Sequence, residues 1–344
     1  MTKLSYSQAG VNIDEANKAK QEMTKSLETK EKRVMNKIGA FASLYDINFP
    51  NYKEPVLVMK TEEPGSKQLL AFQHDRVESI CYDMINHLIN DCIVMGAKPL
   101  SVQDAIICGK LKKDVVTRIV DGVAKACEEQ ECVLTGGETS EQPGVLNEDS
   151  YILTSSIVGI VEKSGIIDGS KIQENDVVIG VESSGLHTNG YTLIRKLINL
   201  YPEIINEKIE GKAFLDLILE PHRCYYKTIK DLFLSGMITG LSHITGGGIK
   251  ENLNRILPLD KDAIIDLEKY QVLPIFKYIK EKGDVEEEEM LRTFNMGVGL
   301  VIVCKADSSL KVIDHIKKSG VKSYIIGEIS NGNKSVETLN KINW

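Results

Sequence analysis

The chain has 344 residues, 42% hydrophobic and 26% charged, with a net charge of -7. That length suits two domains, and the composition is that of an ordinary globular protein. The acidic balance argues against nucleic acid as the main partner. No apolar run approaches the roughly 20 residues of a membrane span, and no secretory leader is read at Met1-Thr2-Lys3. Seven scattered cysteines without a Cys-x-x-Cys pair fit reduced thiols and a cytoplasmic location.

Residues 4–14 carry too few apolar side chains for a core, and 15–37 read as a solvated, Lys/Glu-rich helix. Gly39-Ala40-Phe41-Ala42 suits close packing. Pro55–Met59 is a β-branched strand. It runs into a loop over 60–67, with Glu62 and Glu63, Pro64-Gly65, Ser66 and Lys67. Lys67 is read as a point charge for a phosphate, with the Gly65-Ser66 amides as further donors.

A helix is predicted over 77–96, ending at Gly96 with Pro99 beyond. Asp83, His87, Asn90 and Asp91 share one side of it. Asp83 and His87 read as its wet face. Asn90-Asp91, set among Ile89 and Cys92-Ile93-Val94, reads as partly buried, and a buried carboxylate calls for a cation or several hydrogen bonds. A strand over 100–108 contains Asp104, and a helix follows from Asp114 to about Gln130.

Cys132–Thr135 reads as a short buried strand. It feeds a loop, Gly136-Gly137-Glu138-Thr139-Ser140-Glu141-Gln142-Pro143-Gly144, whose glycines admit a ligand and whose carboxylates suit a metal ion. A strand over Tyr151–Val161 closes the first half, and 166–175 is the crossing to a second domain.

The strand 176–181 runs into Ser183-Ser184-Gly185-Leu186-His187-Thr188-Asn189-Gly190, then a helix to about Tyr201. A strand, a Gly-Ser loop and a helix start make an anion-binding layout. His187, in that loop, is the better ligand candidate than His74, His87, His222 or His315. A helix is expected over 223–237, and a strand over 240–244 carries His243 to Thr245-Gly246-Gly247-Gly248. Three glycines at a helix entry suit a backbone that passes close to a phosphate. The rest alternates: strand 262–267, helix 273–282, a solvated helix start at Glu286–Glu289, strand 298–304, helix 308–318 and strand 322–328. Arg292 and Asn295 fall on a joining loop.

These stretches, in this order, resemble the aminoimidazole ribonucleotide synthetases, or phosphoribosylformylglycinamidine cyclo-ligases. The likeness is carried by Ser5-Tyr6, Ala9-Gly10-Val11, Ile13-Asp14, Asn90-Asp91, Gly96-Ala97, Pro99-Leu100, Gly109-Lys110-Leu111 and Gly136-Gly137-Glu138-Thr139. It continues through Ile167–Lys171, Ser183-Ser184-Gly185, His187, Asn189-Gly190-Tyr191, His243, Thr245–Gly248, Arg292–Asn295 and Gly297-Val298-Gly299. One loop departs. Where the family usually reads Gly-Thr-Asp-Gly-Val-Gly-Thr-Lys, this chain has Lys60-Thr61-Glu62-Glu63-Pro64-Gly65-Ser66-Lys67, so Glu62 stands at the metal-binding Asp. His222 stands where the family has Thr.

The resemblance implies an α/β (α+β) fold of two domains, 1–165 and 166–344. The first is a mixed sheet that binds ATP and Mg2+ and adds strands to a barrel shared by a homodimer. It implies a ligase of purine biosynthesis that closes formylglycinamidine ribonucleotide to aminoimidazole ribonucleotide with ATP. Glu62, Asp91 and Glu138 are then metal ligands. Thr61, Ser66, Asn90, Gly136, Gly137, Thr139 and Gly246 to Gly248 bind nucleotide. Ser184, Asn189, Arg292 and Asn295 bind substrate. Lys67 neutralises phosphate, and His187 or His243 moves a proton. The same fold serves selenophosphate synthetase, thiamine-monophosphate kinase and hydrogenase maturation factors, so another small acceptor, or nucleotide binding without catalysis, is the alternative.

Overall fold

A computed structural model describes residues 13–29, 31–36 and 40–344. The stretches around Ser5-Tyr6 and Ala9-Gly10-Val11, and Gly39, lie outside those residues. Helix α1 (Ile13–Leu27) is shorter than the Lys/Glu run suggests. Past it, Glu31 N–H donates to the Thr29 hydroxyl and Arg33 N–H to the Glu31 carboxylate. Such local bonds compete with helix. Ala19 and Met23 are buried, so α1 is packed on one side.

Two sheets organise the rest. The first is built from β1 (Pro55–Glu62), β2 (Lys98–Cys108), β3 (Val133–Glu141) and β4 (Tyr151–Glu162), in the order β1-β4-β2-β3. Only β2 and β3 are parallel. Helices α2 (Lys67–Gln73), α3 (Val77–Ile93) and α4 (Lys113–Glu129) supply its other elements. Cross-strand partners show which side chains share a face. Lys60 and Glu62 lie opposite Ile157 and Ser155 of β4, both buried, on the face that α3 covers. Leu57, Met59 and Thr61 alternate with them and are exposed on the open face.

The Gly136-Gly137-Glu138-Thr139 stretch is strand rather than loop. It pairs in parallel with Gln103–Ile106. The reason is steric: a Cβ at Gly137 would meet Asp104 Oδ1 at 1.8 Å and its carbonyl at 2.4 Å, so glycine lets the two strands pass.

The second sheet uses β5 (Val177–Glu182), β8 (Ile238–His243), β9 (Lys261–Asp266), β10 (Val298–Cys304), β11 (Ser323–Asn331) and β12 (Val336–Leu339). Their order is β12-β9-β11-β5-β10-β8, antiparallel except for β12 on β9. A two-residue ribbon, β6 (Lys208–Ile209) and β7 (Lys212–Ala213), stands apart. Helices α5 (Tyr191–Leu200), α6 (Phe214–Ile218), α7 (Tyr226–Ile229), α8 (Gly248–Asn254), α9 (Pro274–Gly283), α10 (Glu287–Thr293) and α11 (Ser309–Lys317) join these strands. Every residue of β8 and β10 is buried.

The helix expected over 223–237 shrinks to α7 and one 3-10 turn, Lys230–Leu232. The seam between the sheets explains this. Asn86 Nδ2 donates to the His222 carbonyl and Asn90 Nδ2 to the Arg223 carbonyl, while Tyr225 N–H donates to Asn90 Oδ1. Those backbone groups are taken, so a helix starts only beyond them.

Lys67 completes the seam. It is fully buried, and its ammonium donates to Asp83 Oδ1 at 2.8 Å, the Glu220 carbonyl at 2.7 Å and the His187 carbonyl at 3.1 Å. Burial pushes the Asp83 carboxyl up to about 6 and the Lys67 ammonium down. Three acceptors take all three ammonium protons. Lys67→Met should strand the Asp83 charge and destabilise the fold by roughly 3–5 kcal/mol, whereas Lys67→Met with Asp83→Leu should recover most of that. Denaturant unfolding of the two variants checks this. Equal losses in both would refute it.

Candidate active site

Helix α3 carries one polar stripe at helical spacing: Asp83, Asn86, His87, Asn90 and Asp91. Asp83 and His87, expected on a wet face, are buried instead. The stripe meets the ends of β1 and β8 and the loops that follow β5 and precede α7. Four imidazoles gather there: His87, His187, His222 and His243.

Their contacts form a nearly closed ring. His243 Nδ1 lies 2.7 Å from Asp91 Oδ1, and His243 Nε2 lies 2.9 Å from His222 Nε2. The Thr188 hydroxyl is 3.5 Å from His222 Nδ1 and 2.9 Å from His87 Nδ1. His87 Nε2 faces Glu62 Oε2 and Asp91 Oδ2, each at 3.8 Å. His187 stacks on His222 with ring centres 3.8 Å apart.

The partners fix the tautomers. His243 donates from Nδ1 to Asp91, so its neutral form accepts at Nε2 and His222 donates from Nε2. Thr188 then donates to His87, whose Nε2–H points at the carboxylates. His187 has a left-handed φ of 61° and accepts Ser184 N–H at Nε2. Its buried Nδ1 has no partner among the described residues.

Burial disfavours the charged form of three of these rings. It lowers His87 to about 4 and pushes His187 and His222 well below the ordinary imidazole value, with neighbouring charge adding to the effect. Asp91 goes the other way. Burial would raise its carboxyl, but the His243 hydrogen bond and nearby positive charge hold it below the usual range.

The proposed nucleotide and substrate ligands divide into three groups. Glu62, Asp91, His187, Ser184 and His243 come together around the ring. Asn189 lies beside Gly246, since a Cβ there would approach Asn189 Oδ1 to 3.3 Å. Thr61 bonds Ser156 on the open face, and Ser66 precedes α2.

Other proposed ligands have structural duties. Lys67 cannot meet a phosphate here, because all its protons are used inside the seam. Asn90 is a tether. Asn295 bonds Gly297 N–H, the Ser183 hydroxyl and the Gly185 carbonyl, and so braces the loop before His187. The amides of Gly247 and Gly248 donate to the carbonyls of Arg292 and Thr245, leaving neither for a phosphate. Arg292 itself ends α10 rather than standing on a loop, and its side chain is exposed.

A single ion held by Glu62, Asp91 and Glu138 does not fit. Glu138 is opposite Ala105, one residue out of phase with the Glu62–Ser155–Asp104–Gly137 row, so it points to the open face. It also stands three strands from β1, roughly 14 Å away, whereas Mg2+ needs ligands at about 2.1 Å. Gly136, Gly137 and Thr139 share that remote strand. Between Glu62 and Asp91 sits a cation of the chain's own. Lys60 Nζ is 3.0 Å from Glu62 Oε2 and 3.1 Å from Asp91 Oδ2.

Lys60, His87, His222 and Thr188 are the residues that the sequence reading passed over. Two of them carried a signal: Lys60 replaces a family Gly, and His222 a family Thr. His87 and Asp91, four apart on one helix, were a weaker one.

The description "AIR synthase related protein, N-terminal domain" matches residues 43–161, and its C-terminal counterpart matches 173–340. The chain belongs to the AIR synthase related family. Curated family relatives named phosphoribosylformylglycinamidine cyclo-ligase include those of Clostridium botulinum strain Langeland and Geobacillus kaustophilus. The first is 40% identical over 98% of this chain and 100% of its own length, the second 40% over 95% and 96%. The fold is shared with thiamine-monophosphate kinase from Stenotrophomonas maltophilia, at TM-score 0.68, 14% identity and coverage of 95% and 96%. It is shared equally with the hydrogenase maturation protein HypE in complex with ATP, at TM-score 0.68, 14% identity and coverage of 96% and 92%. No helix of the described residues is long and apolar enough to cross a membrane.

Keeping His222 neutral costs stability in acid. Its folded value lies below its unfolded one, so the unfolded chain binds more protons below about pH 6.5, and native stability falls as pH drops. His222→Thr removes that penalty. The variant should gain on the wild type between pH 7 and 5, by up to about 1.4 kcal/mol per pH unit. Melting curves across that range test it. A pH-independent gap would remove His222 from the neutral ring.

Proposed function

We propose that this chain is a cyclo-ligase that uses ATP to close formylglycinamidine ribonucleotide to 5-aminoimidazole ribonucleotide, releasing ADP and phosphate. The observation that supports it most is the near full-length match to cyclo-ligases combined with an imidazole, His243, hydrogen-bonded to Asp91 at the seam.

The chemistry suits such a group. A formamide oxygen is a poor leaving group until the γ-phosphoryl of ATP is transferred to it. The amidine nitrogen then attacks the resulting iminophosphate carbon, phosphate departs, and the ring nitrogen loses a proton. Positioning and charge neutralisation govern the transfer, and a neutral base governs ring closure. His243 is favoured over His187 as that base. Asp91 fixes its tautomer with Nε2 as the acceptor and would stabilise the imidazolium, once His222 gives up its hydrogen bond to that nitrogen. His187, stacked on His222 and holding Ser184 N–H, is better suited to shaping the pocket. Ser184 and Asn189 then face the substrate, and ATP enters as its Mg2+ complex. Work in the cytoplasm accords with purine chemistry and reduced cysteines.

A homodimer completes the proposal. Leu57 and Met59 of β1 are 50% and 72% exposed on the open face, where Ile152 of β4 joins them. A sheet face of this kind seeks a cover, and a second copy would bring Glu138 into a shared interface. Met59→Lys should shift the protein toward monomer in sedimentation. An unchanged dimer, or a wild-type monomer, would exclude this face.

His243→Ala should lower turnover roughly 10²–10⁴-fold, measured as ADP release with formylglycinamidine ribonucleotide present. ADP release that ignores this substrate, or that needs a different acceptor, would replace the cyclo-ligase with another activity on the same fold.

A further inference from the structure

We propose that Lys60 is a built-in counter-ion: its ammonium fills the seat between Glu62 and Asp91, so that the nucleotide site takes no protein-held divalent ion there and relies on the ion that ATP brings. This rests on the nucleotide reading above.

The geometry is specific. Lys60 and Glu62 are two apart on β1 and face the helix side together. Asp91 reaches the same point from α3. One oxygen of each carboxylate, Glu62 Oε2 and Asp91 Oδ2, contacts Nζ at 3.0 and 3.1 Å, and the same two oxygens face His87 Nε2 at 3.8 Å. Two carboxylate oxygens that converge from separate elements make a seat for one small cation. A divalent ion bound at about 2.1 Å and an ammonium at about 3 Å cannot both occupy it. Both carboxylates are only partly exposed, so screening by water is incomplete.

The sequence agrees. Lys60 stands where the family loop usually carries Gly, a residue that leaves such a seat open. The neighbouring changes follow the same logic. Glu62 is one methylene longer than the family Asp and reaches the ammonium at hydrogen-bond distance. Pro64 stiffens the loop beyond it. Burial alone would lower the Lys60 ammonium, but the bonds to Glu62 and Asp91 outweigh it and keep the group charged. His87, held neutral beside the pair, adds no competing charge. The seat thus has two negative groups and one fixed positive group, and a further divalent ion meets only a single net negative charge.

Mn2+ binding to the nucleotide-free full chain, read by electron paramagnetic resonance of free Mn2+, isolates this seat. The wild type should bind Mn2+ weakly. Lys60→Met, which keeps the aliphatic stem, should gain roughly tenfold or more in affinity. Lys60→Gln should gain likewise, and Glu62→Gln added to Lys60→Met should abolish the gain. Circular dichroism melts verify that each variant is folded. Equal Mn2+ affinity in wild type and both Lys60 variants would overturn the proposal, as would a gain that survives Glu62→Gln. A parallel titration with a non-hydrolysable ATP analogue keeps the two readings apart. Failure to bind the analogue at any Mg2+ concentration counts against the nucleotide reading, while the Mn2+ comparison still decides the role of Lys60.

Discussion

A buried ammonium, Lys67, holds the molecule together at the place where its chemistry would occur. One charge serves three acceptors from three segments: Asp83 of α3 and the carbonyls of His187 and Glu220. Moving an ammonium out of water is costly unless every proton is matched. Here every proton is matched, and the matching positions the His187 loop and the irregular stretch before His222 against α3. The imidazole ring is therefore a by-product of how the two sheets are clamped.

The ring shows how a protein keeps several bases close without charging them. Four imidazoles packed together would repel one another if protonated, and burial removes the water that would soften that repulsion. Hydrogen bonds occupy most of the lone pairs: Thr188 donates to His87 Nδ1, Ser184 N–H to His187 Nε2 and His222 to His243 Nε2. His87, whose value burial lowers, nevertheless faces the Glu62 and Asp91 carboxylates, so burial and charge pull on it in opposite directions.

Much of this was legible in the sequence, for identifiable reasons. Strands such as Val177–Glu182 and Val298–Cys304 are apolar runs bounded by polar turns. The α3 helix shows its period and its glycine stop. His187 sits in a Gly- and Ser-rich loop, and His243 ends a strand just before a glycine run, which is what drew attention to both. Other features were hidden because they depend on partners far along the chain. Gly136 to Glu141 looks like a loop by composition, and only its neighbour Asp104 makes it a strand. Lys67 and Asn295 have the residue types of ligands, yet buried carbonyls claim them. His87 and His222 have ordinary settings in sequence and gain their meaning from Thr188, which links them across the seam. Glu138 was read as a metal ligand on a loop; on a strand, which has two faces, it lies on the open one.

The polar stripe of α3 has a mechanical consequence. Asp83, Asn86, Asn90 and Asp91 all reach into the second sheet's half of the molecule, from three successive turns of one rigid helix. Rocking one half against the other would strip these groups of partners together, at about 1–3 kcal/mol apiece. Such a hinge is effectively welded. Any motion of the molecule is thereby left to short connections at the rim, such as Glu63–Ser66, rather than to the two halves turning against each other.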